Sequence, residues 1–286
     1  MYIDSVGVNA EGARKLLSAL VHRFPPLPST LPAAVTLTGP TSIISASGNG
    51  FNVYGATGVG GDGYGIDGLP DATCTGQYAV TTEAIGALQQ VGDNNEAACT
   101  AAACMAANPV AYDNFVGTDG GVPSVGTSQT EFTGSDAEKL RDLLTAPGVP
   151  DLSFSGYTIA GPIDGPWGTQ ANPIIVHFDD AATMNGSIHG YGVLIVDGDL
   201  DISGTLVWDG IIIIGACSTC ACPTCPGTLV GTGSATVHGA VVVGNAINAT
   251  ANFTGSADIF YSCEGIAIAN SVIDPVFSVV AWNEVD

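Results

Sequence analysis

Three stretches of the sequence share one template. They are Gly186-Ser-Ile-His-Gly-Tyr-Gly192-Val-Leu-Ile-Val196, Gly204-Thr-Leu-Val-Trp-Asp-Gly210-Ile-Ile-Ile-Ile214 and Gly233-Ser-Ala-Thr-Val-His-Gly239-Ala-Val-Val-Val243. In each, Ser or Thr follows the first glycine, a second glycine comes six residues after the first, and four aliphatic residues follow it. A fixed period of this kind is typical of stacked repeats, in which each unit covers the apolar face of its neighbour.

The spacing of the templates predicts the length of one repeat. Gly204 follows Gly186 by 18 residues and Gly233 follows Gly204 by 29, so the second interval holds 11 extra residues. An 18-residue coil is ~60 Å long at ~3.3 Å per residue, which is enough for three short strands and their turns. We therefore predict a mainly β chain that folds as a right-handed parallel β-helix, a solenoid with coils of about 18 residues and a few short helices inserted in the middle.

A β-sandwich whose strands are similar by chance is the alternative fold. Its strands would alternate apolar and polar residues, whereas Val193–Val196 and Ile211–Ile214 are continuously apolar. Continuous apolar runs are typical of parallel strands that are buried on both faces, which favours the solenoid.

The rest of the chain is predicted to form a connector and the body. Residues 1–32 fit both helical and strand spacing and end in a run of prolines, so we interpret them as a connector from a missing N-terminal anchor. Residues 33–286 are the β-solenoid body, with a helical insertion at 81–146 and a Cys-rich loop insertion at 216–228. Within 81–146, the Ala-rich segments 81–91 and 95–107 and a Ser135–Glu138 capping box predict helices.

The charge of the chain excludes two classes of partner. There are 27 acidic and 5 basic residues, and the net charge is -22. Nucleic acids and anionic lipid headgroups are bound by clustered Lys and Arg, so we expect no nucleic-acid partner and no membrane contact other than through the missing N-terminal helix.

The acidic residues predict at most one kind of cofactor. We favour a purely solvated acidic surface and expect no cofactor; the alternative is Ca²⁺, because oxygen ligands with few histidines suit a hard cation. The candidate ligands are Asp62 and Asp67 in a Gly-rich loop, and Asp197, Asp199 and Asp201, which alternate along a predicted strand.

Eight cysteines predict disulfides and an oxidising compartment, since an even number occurs with few metal-ligating histidines. Cys99 and Cys104 would pair with each other or with Cys74. The cluster of four in the loop would form two local disulfides, and a tetrahedral metal site is the alternative. The full set of candidate disulfide residues is Cys74, Cys99, Cys104, Cys217, Cys220, Cys222, Cys225 and Cys263.

The histidines of the repeat region do not predict a site. His189 lies three residues before its template glycine Gly192, whereas His238 lies directly before Gly239, so the two are not equivalent. We interpret them, together with His177, as turn or surface histidines that have polar partners.

The same region resembles a known family. The run from Gly190 to Ile214, with Val237-His-Gly-Ala-Val-Val-Val-Gly244, resembles the C-terminal region of bacterial PilX-type pilus-assembly proteins. Ile259-Phe-Tyr-Ser-Cys-Glu264 and Val280-Ala-Trp-Asn-Glu284 are similar to the end of those chains. Pro32-Ala-Ala-Val-Thr-Leu-Thr-Gly39, followed by Ser47-Gly-Asn-Gly50, is similar to the start of their soluble part.

The resemblance implies a minor-pilin-like structural or adhesive subunit of the type IV pilus machinery. It would be extracellular or on the bacterial cell surface, and its partners would be other pilus or filament subunits, copies of itself or surface glycans. The family implies no catalytic residues, so we expect no enzyme. The alternative is a carbohydrate-active enzyme, a polysaccharide lyase or hydrolase built on the β-helix. That alternative is weakened because no Lys or Arg follows Arg141.

Overall fold

The structure is a computed structural model. It describes residues 2–8, 14–23, 31–39, 41–46, 50–83, 115–120, 124–127, 132–155, 157–159, 167–215, 227–245, 248–253, 255–273 and 277–285. The described strands form one large sheet, a six-stranded sheet, a three-stranded sheet and a hairpin.

The large sheet has eleven described strands, and all of its pairs are parallel. Its main path runs through β10 (Val125–Thr127), β8 (Tyr78–Thr82), β3 (Ala33–Leu37), β19 (Ser234–Val243), β17 (Thr205–Ile214), β15 (Ser187–Val196), β13 (Ile174–Phe178) and β11 (Leu152–Phe154). A branch from β19 continues through β21 (Ser256–Tyr261), β5 (Phe51–Tyr54) and β9 (Phe115–Val116).

The smaller sheets complete the strand inventory. The six-stranded parallel sheet has the order β12 (Tyr157–Ile159), β14 (Ala182–Met184), β16 (Leu200–Ile202), β18 (Thr228–Gly231), β20 (Asn248–Phe253), β4 (Thr41–Ala46). The antiparallel sheet joins β1 (Tyr2–Val8), β2 (Arg14–Arg23) and β22 (Phe277–Val285), and the hairpin joins β6 (Asp62–Tyr64) to β7 (Pro70–Thr75). The described helices are α1 (Gly134–Leu144) and α2 (Cys263–Ile273).

Equivalent positions of the sequence template pair with each other in the parallel ladder. Gly192 pairs with Gly210, and Gly210 pairs with Gly239, so equivalent template positions lie side by side on β15, β17 and β19. These glycines have φ values of 117°, 150° and 149°. An ideal Cβ on Gly210 would lie 1.9 Å from the carbonyl oxygen of Gly192, so both the backbone conformation and the close stacking require glycine.

Helix α2 explains why the residues after these glycines are apolar on both faces. Val193–Val196 and Ile211–Ile214 are all buried, and α2 packs against β15, β17 and β19. The helix contributes Ile266, Ala269 and Ile273 to the same core. A parallel sheet covered by a helix is an arrangement typical of α/β folds.

The predicted β-helix is therefore wrong as a fold class, although the chain is mainly β. The described strands form open parallel sheets, and the strands of the large sheet do not follow chain order. β3 lies beside β19, and β8 lies beyond β3. The physical reason is that Ala33–Leu37 is completely buried and completes the apolar ladder at β19, which a period of about 18 residues could not reveal.

The ends of the chain and the predicted insertion contain strands. Within 1–32, β1 and β2 pair with each other, and β2 also pairs with the C-terminal strand β22. Within 81–146, Thr81 and Thr82 still belong to β8, and β9 and β10 follow. Residues 84–91 and 95–107 of the two Ala-rich predicted helices lie outside the described residues, as does most of the Cys-rich loop. The division into connector and body remains a prediction.

The third predicted helix exists, but its cap is shifted. Thr133, not Ser135, is the N-cap residue of α1, and it forms a capping box with Asp136. The Thr133 hydroxyl accepts from the Asp136 amide, and the Asp136 carboxylate accepts from the Thr133 amide. Since Thr-x-x-Asp and Ser-x-x-Glu overlap in this stretch, the sequence offered two registers for one motif.

Candidate functional site

The candidate site is a buried carboxylate between two histidines on the large sheet. Asp209 on β17 lies directly opposite His238 on β19, because each residue immediately precedes the template glycine of its strand. Asp209 Oδ1 is 2.7 Å from His238 Nδ1, and Asp209 Oδ2 is 3.0 Å from Nε2 of His189 on β15. Asp209 and His238 are buried, whereas the His189 side chain is 44% exposed.

The hydrogen bonds fix what each imidazole can do. An ionised carboxylate only accepts, so His238 donates through Nδ1 and His189 donates through Nε2. The second nitrogen of each ring, Nε2 of His238 and Nδ1 of His189, is then left to exchange protons or to contact a ligand. The arrangement also joins three strands of the sheet through one buried charge.

A row of aromatic rings continues from His238 along the sheet. The His238 ring stacks on Phe260 of β21 with centroids 5.4 Å apart, and Phe260 stacks on Tyr54 of β5 at 5.0 Å. These residues are direct neighbours in the parallel ladder. Tyr64 of the hairpin places its ring edge-on to Phe260, with centroids 5.2 Å apart. The aromatic rings thus extend the site over three strands and the hairpin.

Tyr191 is the third side chain around Asp209. It lies opposite Asp209 on β15, and its ring centroid is 4.7 Å from that of His189. Burial, and then the negative charge of Asp209, raise the pKa of Tyr191. The phenol therefore stays protonated next to the carboxylate, which makes it a hydrogen-bond donor on this surface.

Helix α2 and a loop border the site. Glu264 in the first turn of α2 accepts from Gln170 Nε2 at 2.9 Å and from the Ile66 amide at 3.4 Å. Trp167, three residues before Gln170, donates its amide to the His189 carbonyl at 2.7 Å. The helix, the loop and the hairpin are therefore tied together next to the His189 and His238 strands.

A second buried carboxylate, Asp197, lies at the end of β15. Arg141 of α1 contacts both of its oxygens, with Nε 2.7 Å from Oδ1, and His177 Nε2 is 3.0 Å from Oδ2. Burial raises the pKa of Asp197, but the hydrogen bonds and charges of His177 and Arg141 outweigh it, so the pKa is below its ordinary value. The hydrogen bond to Asp197 raises the pKa of Arg141 in turn.

The two ends of α1 are both attached to the sheet. At the N-terminus the Gly134 amide donates to the Glu83 carboxylate just after β8, and at the C-terminus Arg141 binds Asp197 just after β15. β8 and β15 are separated by β3, β19 and β17, so α1 lies across the carboxyl ends of these strands.

The structure does not gather the predicted Ca²⁺ ligands into one described site. Asp197 is engaged by Arg141 and His177, Asp199 accepts from the Thr228 amide at 2.8 Å, and Asp67 accepts from the Leu69 amide at 2.9 Å. Asp62 is exposed at the start of β6, and Asp201 Oδ1 is buried with no hydrogen-bond partner. Among the described residues, no group of three or more His, Cys, Asp or Glu is arranged to hold a metal ion. Calcium binding stays a prediction.

Two of the candidate disulfide cysteines pair in the structure. Cys74 at the end of the hairpin is bonded to Cys263 at the start of α2, across a sequence separation of 189 residues. Neither of the two pairings considered for Cys74 is observed. Cys99, Cys104, Cys217, Cys220, Cys222 and Cys225 lie outside the described residues.

Comparisons with known proteins assign no family. The chain matches no family model, and no curated protein or solved structure is significantly similar to it. No helix in the described part of the chain is long and apolar enough to span a membrane. The Cys74–Cys263 disulfide is compatible with a non-cytoplasmic location.

Sequence reasoning missed Asp209, the centre of the site. It correctly treated His189 and His238 as non-equivalent, since His189 lies opposite Val207 in the ladder and His238 lies opposite Asp209. The prediction that the histidines lie in turns or at the surface is wrong for His177 and His238, which are buried on strands. A signal was nevertheless present: Asp209 and His238 occupy the same template position, directly before a glycine. A comparison of the templates for complementary charges would have paired them.

Proposed function

We propose that this protein is an extracellular structural or adhesive subunit of a bacterial cell-surface filament, similar to the pilus-associated minor pilins. The observation that carries the proposal is the Cys74–Cys263 disulfide. It links segments that are 189 residues apart, so the oxidised chain holds the hairpin and α2 together covalently. Structural disulfides persist in secreted and surface proteins and are rare in the cytosol.

The electrostatics support the same function. The net charge of -22 keeps the surface strongly anionic, while the described buried carboxylates Asp197 and Asp209 each contact basic or imidazole side chains. The buried ionic contacts suit a rigid subunit. The strongly anionic surface suits a subunit that must stay soluble until it binds its partners. Those partners are other filament subunits or copies of this chain, with surface glycans as targets of adhesion.

The test is localisation in the cells that produce the protein. An antibody raised against the purified chain should label intact cells, and the chain should co-purify with filaments sheared from the cell surface. Non-reducing mass spectrometry of that material should find the Cys74–Cys263 linked peptides. A cytosolic marker protein is the control for lysis. Recovery of the chain only inside cells, with both cysteines reduced, would refute the proposal.

A further inference from the structure

The hairpin lies over the histidine of the candidate site. We name residues Asp62–Thr75 the strap. An ideal Cβ on Gly68 of the strap would be 3.6 Å from His238 Nε2 and 3.7 Å from Phe260 Cζ. The Tyr64 ring also packs edge-on against Phe260. The strap therefore covers the one nitrogen of His238 that does not contact Asp209.

Apart from the disulfide, the strap is held by the two buried residues of its first strand, Gly63 and Tyr64, and by hydrogen bonds. Its second strand, β7, is exposed or half-buried at every position except Cys74, which is 1% exposed. The noncovalent attachments are the burial of Gly63 and Tyr64, the bridge from Tyr64 to Ser262, and four hydrogen bonds. In these bonds the Tyr64 hydroxyl donates to the Ala56 carbonyl, the Thr57 amide to the Asp62 carbonyl, the Ile66 amide to Glu264 and the Cys263 amide to the Cys74 sulfur. A segment with little buried surface opens at low free energy unless it is crosslinked.

The two bonded cysteine residues differ in their exposure. Cys74 is buried, whereas Cys263 is only half-buried at the start of α2. Thiol–disulfide exchange begins with attack of a thiolate on an accessible sulfur atom. A dithiol reductant would therefore attack Cys263 first and release Cys74 as a thiolate.

We propose that the Cys74–Cys263 disulfide is a redox latch, and that its reduction by a dithiol releases the strap and exposes the Asp209–His238 pair. The attacking thiolate forms a mixed disulfide with Cys263, and the Cys74 thiolate takes a proton from water. The second thiol of the reductant then resolves the mixed disulfide, so the dithiol is oxidised to a disulfide and both cysteines are left as thiols. The proposal is independent of the cell-surface function.

The structure provides an internal reference for testing this latch. The His189 side chain is 44% exposed in the latched state, whereas the His238 side chain is 11% exposed, and both contact the same Asp209 carboxylate. The pairing of β15, β17 and β19 does not involve the strap, so the sheet keeps its register when the strap opens.

The experiment measures the rates at which diethyl pyrocarbonate modifies each histidine, by peptide mass spectrometry. On reduction of the full chain with dithiothreitol, we expect the rate at His238 to rise about tenfold or more while the rate at His189 is unchanged. An unchanged rate at His238, with both cysteines shown to be reduced, would overturn the proposal. A parallel rise at both histidines would also overturn it, because it would mean that the whole sheet opens.

A double variant tests this disulfide without reducing any bond formed by the other six cysteines. Cys74→Ser with Cys263→Ser, kept without reductant, should show the same increase at His238. Hydrogen exchange should accelerate in residues 62–75 and stay slow in the buried strand Ile211–Ile214. Slow exchange in the strap of this variant would show that noncovalent contacts suffice to hold it and that no latch exists.

Discussion

Asp209 and His238 face each other across neighbouring parallel strands, with Asp209 Oδ1 2.7 Å from His238 Nδ1. The same carboxylate contacts His189 from the other side. Because Asp209 is only 4% exposed, its charge is stabilised by these two imidazoles and not by water. Asp209 therefore links three strands of the sheet and also orients the partly exposed imidazole of His189.

Asp209→Asn should lower the free energy of unfolding by about 1–3 kcal/mol, since the amide oxygen can accept from one imidazole but the amide NH2 group faces the donor nitrogen of the other. Urea denaturation monitored by far-UV circular dichroism measures the change. The matched control is Asp179→Asn at an exposed position, for which we expect a change within about 0.5 kcal/mol. Equal effects of the two substitutions would mean that Asp209 has no special role in stability.

The ion pair of Asp197 predicts a pH dependence of stability. The pKa of Asp197 in the folded chain is below its ordinary value of 3.8, so the folded state favours the ionised form. The contribution of Asp197 to the free energy of unfolding is complete above pH 3.8. It is lost as the pH falls through the pKa of Asp197 in the folded chain. The difference in unfolding free energy between the native chain and Asp197→Asn should therefore shrink as the pH falls below 3.8. A difference that grows on acidification would contradict this.

Arg141→Met should destabilise the chain by about 3 kcal/mol, because it leaves Asp197 buried without its cation. Thermal and urea unfolding measure the loss. Lys139→Met on the same helix is the control, since Lys139 is 68% exposed and its ion pair with Asp136 lies at the surface. A loss at Arg141 no larger than that at Lys139 would show that the Asp197 contact does not hold α1 to the sheet.

The stacked glycines predict a large effect at one position and a small effect at another. Gly210→Ala would place a Cβ 1.9 Å from the Gly192 carbonyl oxygen, so we expect a loss of more than about 4 kcal/mol or no folded protein. Gly58 has a similar φ of 141° but nothing within 4 Å of an ideal Cβ. Gly58→Ala should therefore cost only about 1–2 kcal/mol of backbone strain. Similar losses at both sites would refute close stacking as the cause.

Deletion of residues 216–226 should leave the fold intact. An ideal Cβ on Gly215 would be 2.1 Å from the Gly227 Cα, so the two Cα atoms are at most about 3.6 Å apart, close to the spacing of consecutive residues. The deletion also restores the 18-residue spacing of the templates. Hydrogen exchange of β17 and β19 should match that of the full chain. Loss of protection in these strands would show that the loop supports the sheet.

Calcium remains to be tested by comparing thermal melts in Ca²⁺ and in EGTA at matched ionic strength. A specific site raises the melting temperature in Ca²⁺, and a hundredfold excess over the dissociation constant adds ~2.7 kcal/mol. Asp62→Asn with Asp67→Asn should abolish the shift if the Gly-rich loop binds the ion. Coincident melts of the native chain would assign the acidic residues to surface solvation.

The local register of the parallel strands follows from the amino-acid sequence. The repeated glycines predicted which residues lie opposite each other, and Gly192, Gly210 and Gly239 do so. The continuous apolar runs that follow predicted burial on both faces, which α2 and the core provide. These features are readable because a backbone with positive φ admits few residues other than glycine, and because parallel pairing repeats the same side-chain positions on every strand.

Tertiary structure alone decided the order of the strands, the partner of Cys74 and the position of the strap over His238. The pairing of β3 with β19 and the bond from Cys74 to Cys263 join segments about 200 and 189 residues apart. No local period or motif encodes such contacts. These contacts form between the distant surfaces that bury the most apolar area and satisfy each other's polar groups. Many small free energies add up to this preference, and they exist only once the strands have assembled.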